Sequence, residues 1–154
     1  MRRRYTPADL VCEALSAALV FAAFCVPALR WHELPAQLPA HFDAAGQINR
    51  WADKRSLWAL PGILLALWAL LTIVGCFPSL WNTGVPVTEQ NRERVYRLLG
   101  SLLSSEKLAL CAVFFVLLLR TLAARPLPGW FLPVALAAVF APLTVCLARI
   151  FHAR

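Results

Sequence analysis

Residues 57–81 carry no charged side chain, and this silence constrains the chain more than any other feature. So long an apolar stretch has no aqueous face. As a helix rising 1.5 Å per residue it is longer than the roughly 30 Å of a bilayer's hydrocarbon core. Lipid offers no hydrogen bonds to the backbone, so a single segment crossing it must satisfy every N–H and C=O internally, as an α-helix does. The segments on either side must then emerge on opposite faces of the membrane.

Three further runs fit the same solution. Residues 10–29 are interrupted only by Glu13 and follow Met1-Arg2-Arg3-Arg4. They read as a retained anchor. The run is long for the apolar core of a secretory signal, no small-x-small site closes it, and bulky Phe24 precedes Cys25, unlike a lipoprotein site. Residues 127–148 are uncharged, and Pro133 and Pro142 are tolerable inside a membrane bundle. Residues 108–119, between Lys107 and Arg120, are weaker, with a rise of only about 18 Å. They span only if both charges snorkel outward and flanking turns contribute. Spans are expected at 9–30, 57–80, 105–123 and 128–150. The fold expected is one all-α membrane domain over 1–154, a polytopic bundle of four transmembrane helices with an ordered extracytoplasmic loop between helices 1 and 2.

Charge supports this reading. Only 15% of the residues are charged, against about 25% in soluble domains. The net charge of +7 is spread over every connection, as topology signals and headgroup anchors are, and forms no basic and aromatic platform for nucleic acid. With the N-terminus inside, the inner side holds Arg2, Arg3, Arg4, Arg92, Arg94, Arg97, Lys107, Arg149 and Arg154. The outer side then holds Arg30, Arg50, Lys54, Arg55, Arg120 and Arg125. Lys and Arg favour the cytoplasmic side, so both termini are expected in the cytoplasm. Cys12, Cys25, Cys76, Cys111 and Cys146 lie in or beside apolar runs without a CxxC pair, so they read as small buried residues.

Two segments break the apolar pattern. In the inner segment 88–104, Val95, Leu98, Leu99, Leu102 and Leu103 share one helical face, Glu93 and Arg97 are spaced for pairing, and Thr88 is a candidate cap. Such a basic amphipathic helix can lie on an anionic leaflet, dock a partner, or lead into the third span. Glu13 is expected as a solvated helix-end residue, with Lys107 or Arg149 in reach if the helix ends pack together. No internal repeat or midplane charge points to transport.

The outer loop 31–56 holds the remaining chemistry. Pro35 and Pro39 push Leu34 and Leu38 toward extended geometry, so the chain leaves the first span stiff, like a docked lid. Ala44-Ala45-Gly46 supplies a turn with Gly46 free to adopt positive φ. Trp31, Trp51 and Trp58 suit an interfacial belt, and Ser56 or Asp53 can cap the second span. In an extended strand His41 and Asp43 face the same side. With His32 or Glu33 they are candidate metal ligands of the His and carboxylate type, while the plainer reading has them bond within the loop and hold its shape.

The order LPxxLPxHFDxxG, then a tryptophan and WxxK ahead of a spanning helix, resembles the DUF1648 family, a domain of unknown function also found at the N-terminus of SdpI-type toxin-immunity proteins. The matching residues are Leu34, Pro35, Leu38, Pro39, His41, Phe42, Asp43, Gly46, Trp51 and Lys54. Asn49 stands where family members often carry aspartate. The resemblance implies a multi-span bacterial inner-membrane protein, with toxin immunity or signalling through the outer loop; the protein is expected to be non-catalytic and to use no cofactor. The implied partners are the bilayer and a membrane protein, toxin or regulator. The alternative is a metal-binding membrane protein or membrane enzyme using the His-x-Asp of the loop.

Overall fold

A computed structural model describes residues 4–152. Arg2, Arg3 and Arg154, counted above toward orientation, lie outside the described residues. Four helices are long and apolar enough to cross a membrane, so this is a multi-pass membrane protein. Helix α1 spans Pro7–Leu29, α2 Ala59–Cys76, α3 Arg92–Leu122 and α4 Phe131–Phe151. Between α1 and α2 the chain forms a β-hairpin, β1 Gln37–Phe42 and β2 Ile48–Asp53, the only strands among the described residues.

Local chemistry sets these boundaries. Thr6 and Asp9 close a capping box at the start of α1, each side chain accepting from the other's backbone N–H. Asp53 accepts from the Arg55 N–H and caps a 3-10 turn, Lys54–Trp58, that leads into α2; α2 itself starts after Trp58 with no side-chain cap, from Asp53 or from Ser56. Pro61 falls in the first turn of α2, where its missing N–H costs nothing. Helix α4 begins at Phe131, slightly later than expected, after the Phe131 N–H closes a turn onto the Pro128 carbonyl.

Helix α3 is the hub and packs against α1, α2 and α4. Residues 88–104 form no separate surface helix along most of their length. From Arg92 they are the first half of α3, whose 31 residues rise about 46 Å and overshoot the hydrocarbon core. Thr88 and Asn91 close the turn just before this start, each side chain accepting from the other's backbone N–H, while α3 itself has no side-chain cap. Glu93 accepts from Arg4 at 2.9 Å, not from Arg97 as the spacing had implied. On this same end of the bundle Val95 of α3 is buried with Cys146 and Ile150 of α4. Residues 4 and 152 therefore share one end, and the hairpin caps the other.

The largest departure from expectation lies inside the bundle. Lys107 does not snorkel outward. It is 2% exposed, and its Nζ donates to Glu13 Oε2 at 2.7 Å and Thr72 Oγ1 at 3.0 Å, 5.6 Å from the Trp68 ring centroid. Glu13, expected to be solvated, also accepts from Ser104 Oγ at 2.8 Å. Trp68 Nε1 donates to Ser16 Oγ, and Ser16 Oγ donates to the Glu13 carbonyl. Three helices are thus tied by one polar network, because a buried ammonium and carboxylate are tolerable only when each satisfies the other.

At its far end α3 closes in a Schellman turn. The Ala124 N–H donates to the Thr121 carbonyl and the Arg125 N–H to the Arg120 carbonyl. The left-handed position, φ 48°, is held by Ala124, where glycine is the usual occupant.

Two outcomes follow from these contacts. Lys107→Met leaves the Glu13 carboxylate without its counter-charge and should lower stability by about 3–5 kcal/mol. Adding Glu13→Gln should recover most of that loss in thermal unfolding of the detergent-solubilised protein. Ala124→Gly relieves the left-handed strain and should raise stability by about 0.5–1 kcal/mol in the same assay.

Candidate functional site

The hairpin is built by the residues that resemble the family motif. Leu34 and Leu38 drop into the main core with Ala23, Leu57, Leu64 and Leu118, and Leu38 is 1% exposed. These two leucines nail the cap to the bundle. The extended geometry set by the prolines becomes strand. Pro39 pairs with Trp51 in the antiparallel register, and an irregularity beside it, at Ala40, accommodates a residue that cannot donate to the ladder. A second irregularity, at Asn49, restores the register before Phe42 meets Ile48.

The turn between the strands is held by Asp43. Its Oδ1 accepts from the Ala45 N–H at 2.9 Å and the Gln47 N–H at 2.8 Å. Gly46 takes φ +78°, as its sequence context required. It also touches the α3–α4 connection: its carbonyl accepts from the Leu127 N–H at 2.8 Å, and a Cβ there would sit 2.8 Å from the Leu127 carbonyl oxygen. Lys54 fixes the other end of the hairpin. Its Nζ donates to the Trp31 carbonyl and lies 4.8 Å from the Trp31 ring centroid. Trp31 packs on Trp58 at 5.7 Å, and Trp58 stacks on Phe24. Trp31 and Trp58 are therefore part of the packed bundle top, whereas Trp51 is 49% exposed.

His41 and Asp43 do not converge. The chain leaves β1 at Phe42, and the Asp43 carboxylate turns into its own loop. His41 Nδ1 lies 2.7 Å from Asn49 Oδ1, a hydrogen bond when the imidazole proton sits on Nδ1. His32 lies in the 3-10 turn Trp31–Glu33 at the end of α1. Among the described residues no three His, Cys, Asp or Glu side chains come together as a set able to hold a metal ion.

What the cap does enclose is space. A cleft of about 550 Å³ opens between the hairpin, the start of α2, the end of α3 and the start of α4. Its walls are largely apolar, including Phe42, Leu60, Leu117, Leu127 and Phe131, and its polar lining comes from His41, Asp43, Arg50, Ser56 and Thr121. Arg50 is paired with His41 across the hairpin. Arg50 and the walls from α3 and α4 were missed as site residues. Reading residues 37–53 as a hairpin would have placed Arg50 beside His41, but nothing distinguishes Leu117 or Phe131 in the sequence from leucines and phenylalanines that face lipid.

A comparison with family profiles matches residues 18–65 to the domain of unknown function DUF1648. That stretch runs from the middle of α1 through the hairpin into α2. Residues 18–65 are a DUF1648 domain. No curated protein and no solved structure matches the chain. The DUF1648 stretch contains every residue that shapes the cap, while the far walls of the cleft come from beyond it.

Gly46→Ala should break the seam between the DUF1648 hairpin and residue 127. The added Cβ meets a backbone oxygen and the left-handed φ costs about 1–2 kcal/mol for any side chain. Gly62→Ala is the control, because a Cβ there meets nothing within 4 Å and lies on a helix. Protease cleavage within residues 43–47 should accelerate for Gly46→Ala and stay at the wild-type rate for Gly62→Ala.

Proposed function

We propose that this is a non-catalytic bacterial inner-membrane protein that recognises a ligand outside the cytoplasm, in the cleft beneath the DUF1648 hairpin. Toxin immunity or signalling is the outcome of that recognition. The observation that carries the reading is how the motif residues are used. Asp43 is committed to backbone amides, Lys54 to Trp31, and Leu34 and Leu38 to the core. Their chemistry goes into holding a roof at a fixed height over an open cleft. A preformed, mostly apolar pocket with a few convergent polar groups is the usual form of a binding site. Its apolar walls and Arg50 suit an amphipathic ligand, such as a peptide, that places apolar side chains inside and an acceptor or acidic group beside the guanidinium. The Lys and Arg distribution supports cytoplasmic termini, which puts the hairpin outside.

The test uses the full chain in its native cells. Ala44→Cys, at the exposed hairpin turn, should react with a membrane-impermeant maleimide in intact cells. Arg50→Ala and the cleft-filling Ala59→Phe should keep normal membrane abundance, because neither residue anchors the cap. Each should reduce tolerance to membrane-active peptides secreted by neighbouring cells, or the transcriptional response to them, by roughly tenfold, the effect of losing one good contact. Variants that accumulate normally and protect as well as the wild type would rule out the cleft as the working site.

A further inference from the structure

The opposite end of the bundle carries an amphipathic cavity that neither the DUF1648 stretch nor the hairpin explains. A hollow of about 710 Å³ lies where α3 begins, lined by Arg4, Arg92 and Arg97, by Glu89 and Glu93, and by the rings of Tyr5, Trp81 and Tyr96. Arg4 is spent on Glu93 at 2.9 Å. Arg92 and Arg97 remain against Glu89, so the hollow keeps an excess of guanidinium. Next to it, a groove of about 510 Å³ runs between α2 and α3 over Leu71, Val74, Leu99 and Leu103. Trp81 lines both spaces. It is held in place as a shared wall: its Nε1 donates to the Val74 carbonyl at 2.8 Å and its ring lies 6.1 Å from that of Tyr96.

We propose that the two spaces are one site for an anionic phospholipid, with the headgroup phosphate on Arg92 and Arg97 and an acyl chain along the α2–α3 groove. Guanidinium matches phosphate in charge and in forked geometry, and aromatic rings line the level at which headgroups sit. Basic pockets between spanning helices are a recognised form of anionic-lipid site. The groove lies on the membrane-spanning portions of α2 and α3, so an apolar occupant there reaches it from within the bilayer. Glu106 stands in the groove wall, and its Oε1 is a buried side-chain oxygen without a hydrogen-bond partner among the described residues. The lipid site makes no use of that carboxyl, and this separates it from a site for a cationic amphiphile.

Native mass spectrometry of the full chain, released from neutral detergent with phosphatidylglycerol or phosphatidylcholine of identical acyl chains, tests the assignment. Phosphatidylglycerol should be retained on the wild type about tenfold or more over phosphatidylcholine, and R92Q/R97Q should erase that preference. L99W, which fills the groove, should reduce phosphatidylglycerol retention with the arginines intact. E106L should bind it at least as well as the wild type. Inorganic phosphate at millimolar concentration should not displace it. Equal retention of the two lipids by the wild type, an undiminished preference in R92Q/R97Q, or displacement by inorganic phosphate overturns the proposal. So does loss of binding in E106L, which assigns the groove to a cationic occupant. A dimer that L99W abolishes overturns it as well, giving the groove to a second copy.

Discussion

The bundle depends on a single buried ammonium. Between spanning helices there is no hydrophobic effect to exploit, since lipid chains are as apolar as leucine, and specificity must come from close packing and polar contacts. Lys107 supplies the polar contact. By bonding Glu13 of α1 and Thr72 of α2, it fixes how far each of those helices slides along α3. Ser104 and the Trp68–Ser16 link repeat the constraint one turn away. A shift of one helix by a single residue would strand the ammonium in hydrocarbon, so this network selects one register among many of similar packing.

That register has consequences at the other end. The hairpin is carried by the last turns of α1 and the first turns of α2, and its two leucines enter the core that α3 completes with Cys111, Leu118 and Leu122. The Trp31–Trp58 packing and the Lys54 contact to Trp31 join the two supporting elements directly. Roof height, and with it the depth of the cleft, is therefore set jointly by a polar network near one end of the bundle and an aromatic cluster near the other.

The four helices and the turn at Gly46 were legible because each rests on a local rule: long apolar runs, with at most a charge near an end, for a span, and a glycine where the backbone must turn left-handed. The register-setting pair was not. Glu13 and Lys107 are 94 positions apart, and each lies near enough to a run boundary to read as a solvated end. Only the packing of α1 on α3 reveals that both point inward. The hairpin was half legible: Pro35 and Pro39 marked extended chain, but a proline in the middle of a segment argues against strand. The irregularity at Ala40 that makes Pro39 acceptable belongs to the pairing and not to either strand alone. In the site, the motif residues stood out by their chemistry, whereas the walls contributed by Leu117, Leu127 and Phe131 are apolar residues in an apolar chain and carry no local mark.

The reach of the DUF1648 stretch follows from the same geometry. Residues 18–65 include the half of α1, the hairpin and the start of α2 that hold one another in place. What the cap requires from the rest of the chain is modest. Leu127 offers a backbone N–H to the Gly46 carbonyl and a close backbone approach that only glycine permits. A peptide N–H is available from any residue except proline, so this seam places almost no demand on which side chain follows α3. The remaining walls need only be apolar. At this seam the cap asks its bundle for one N–H and an apolar surface, while the network around Lys107 holds the helices beneath it in register. The cleft beneath it takes most of its lining from the hairpin and the start of α2, and Leu117, Leu127 and Phe131 close it from α3 and α4.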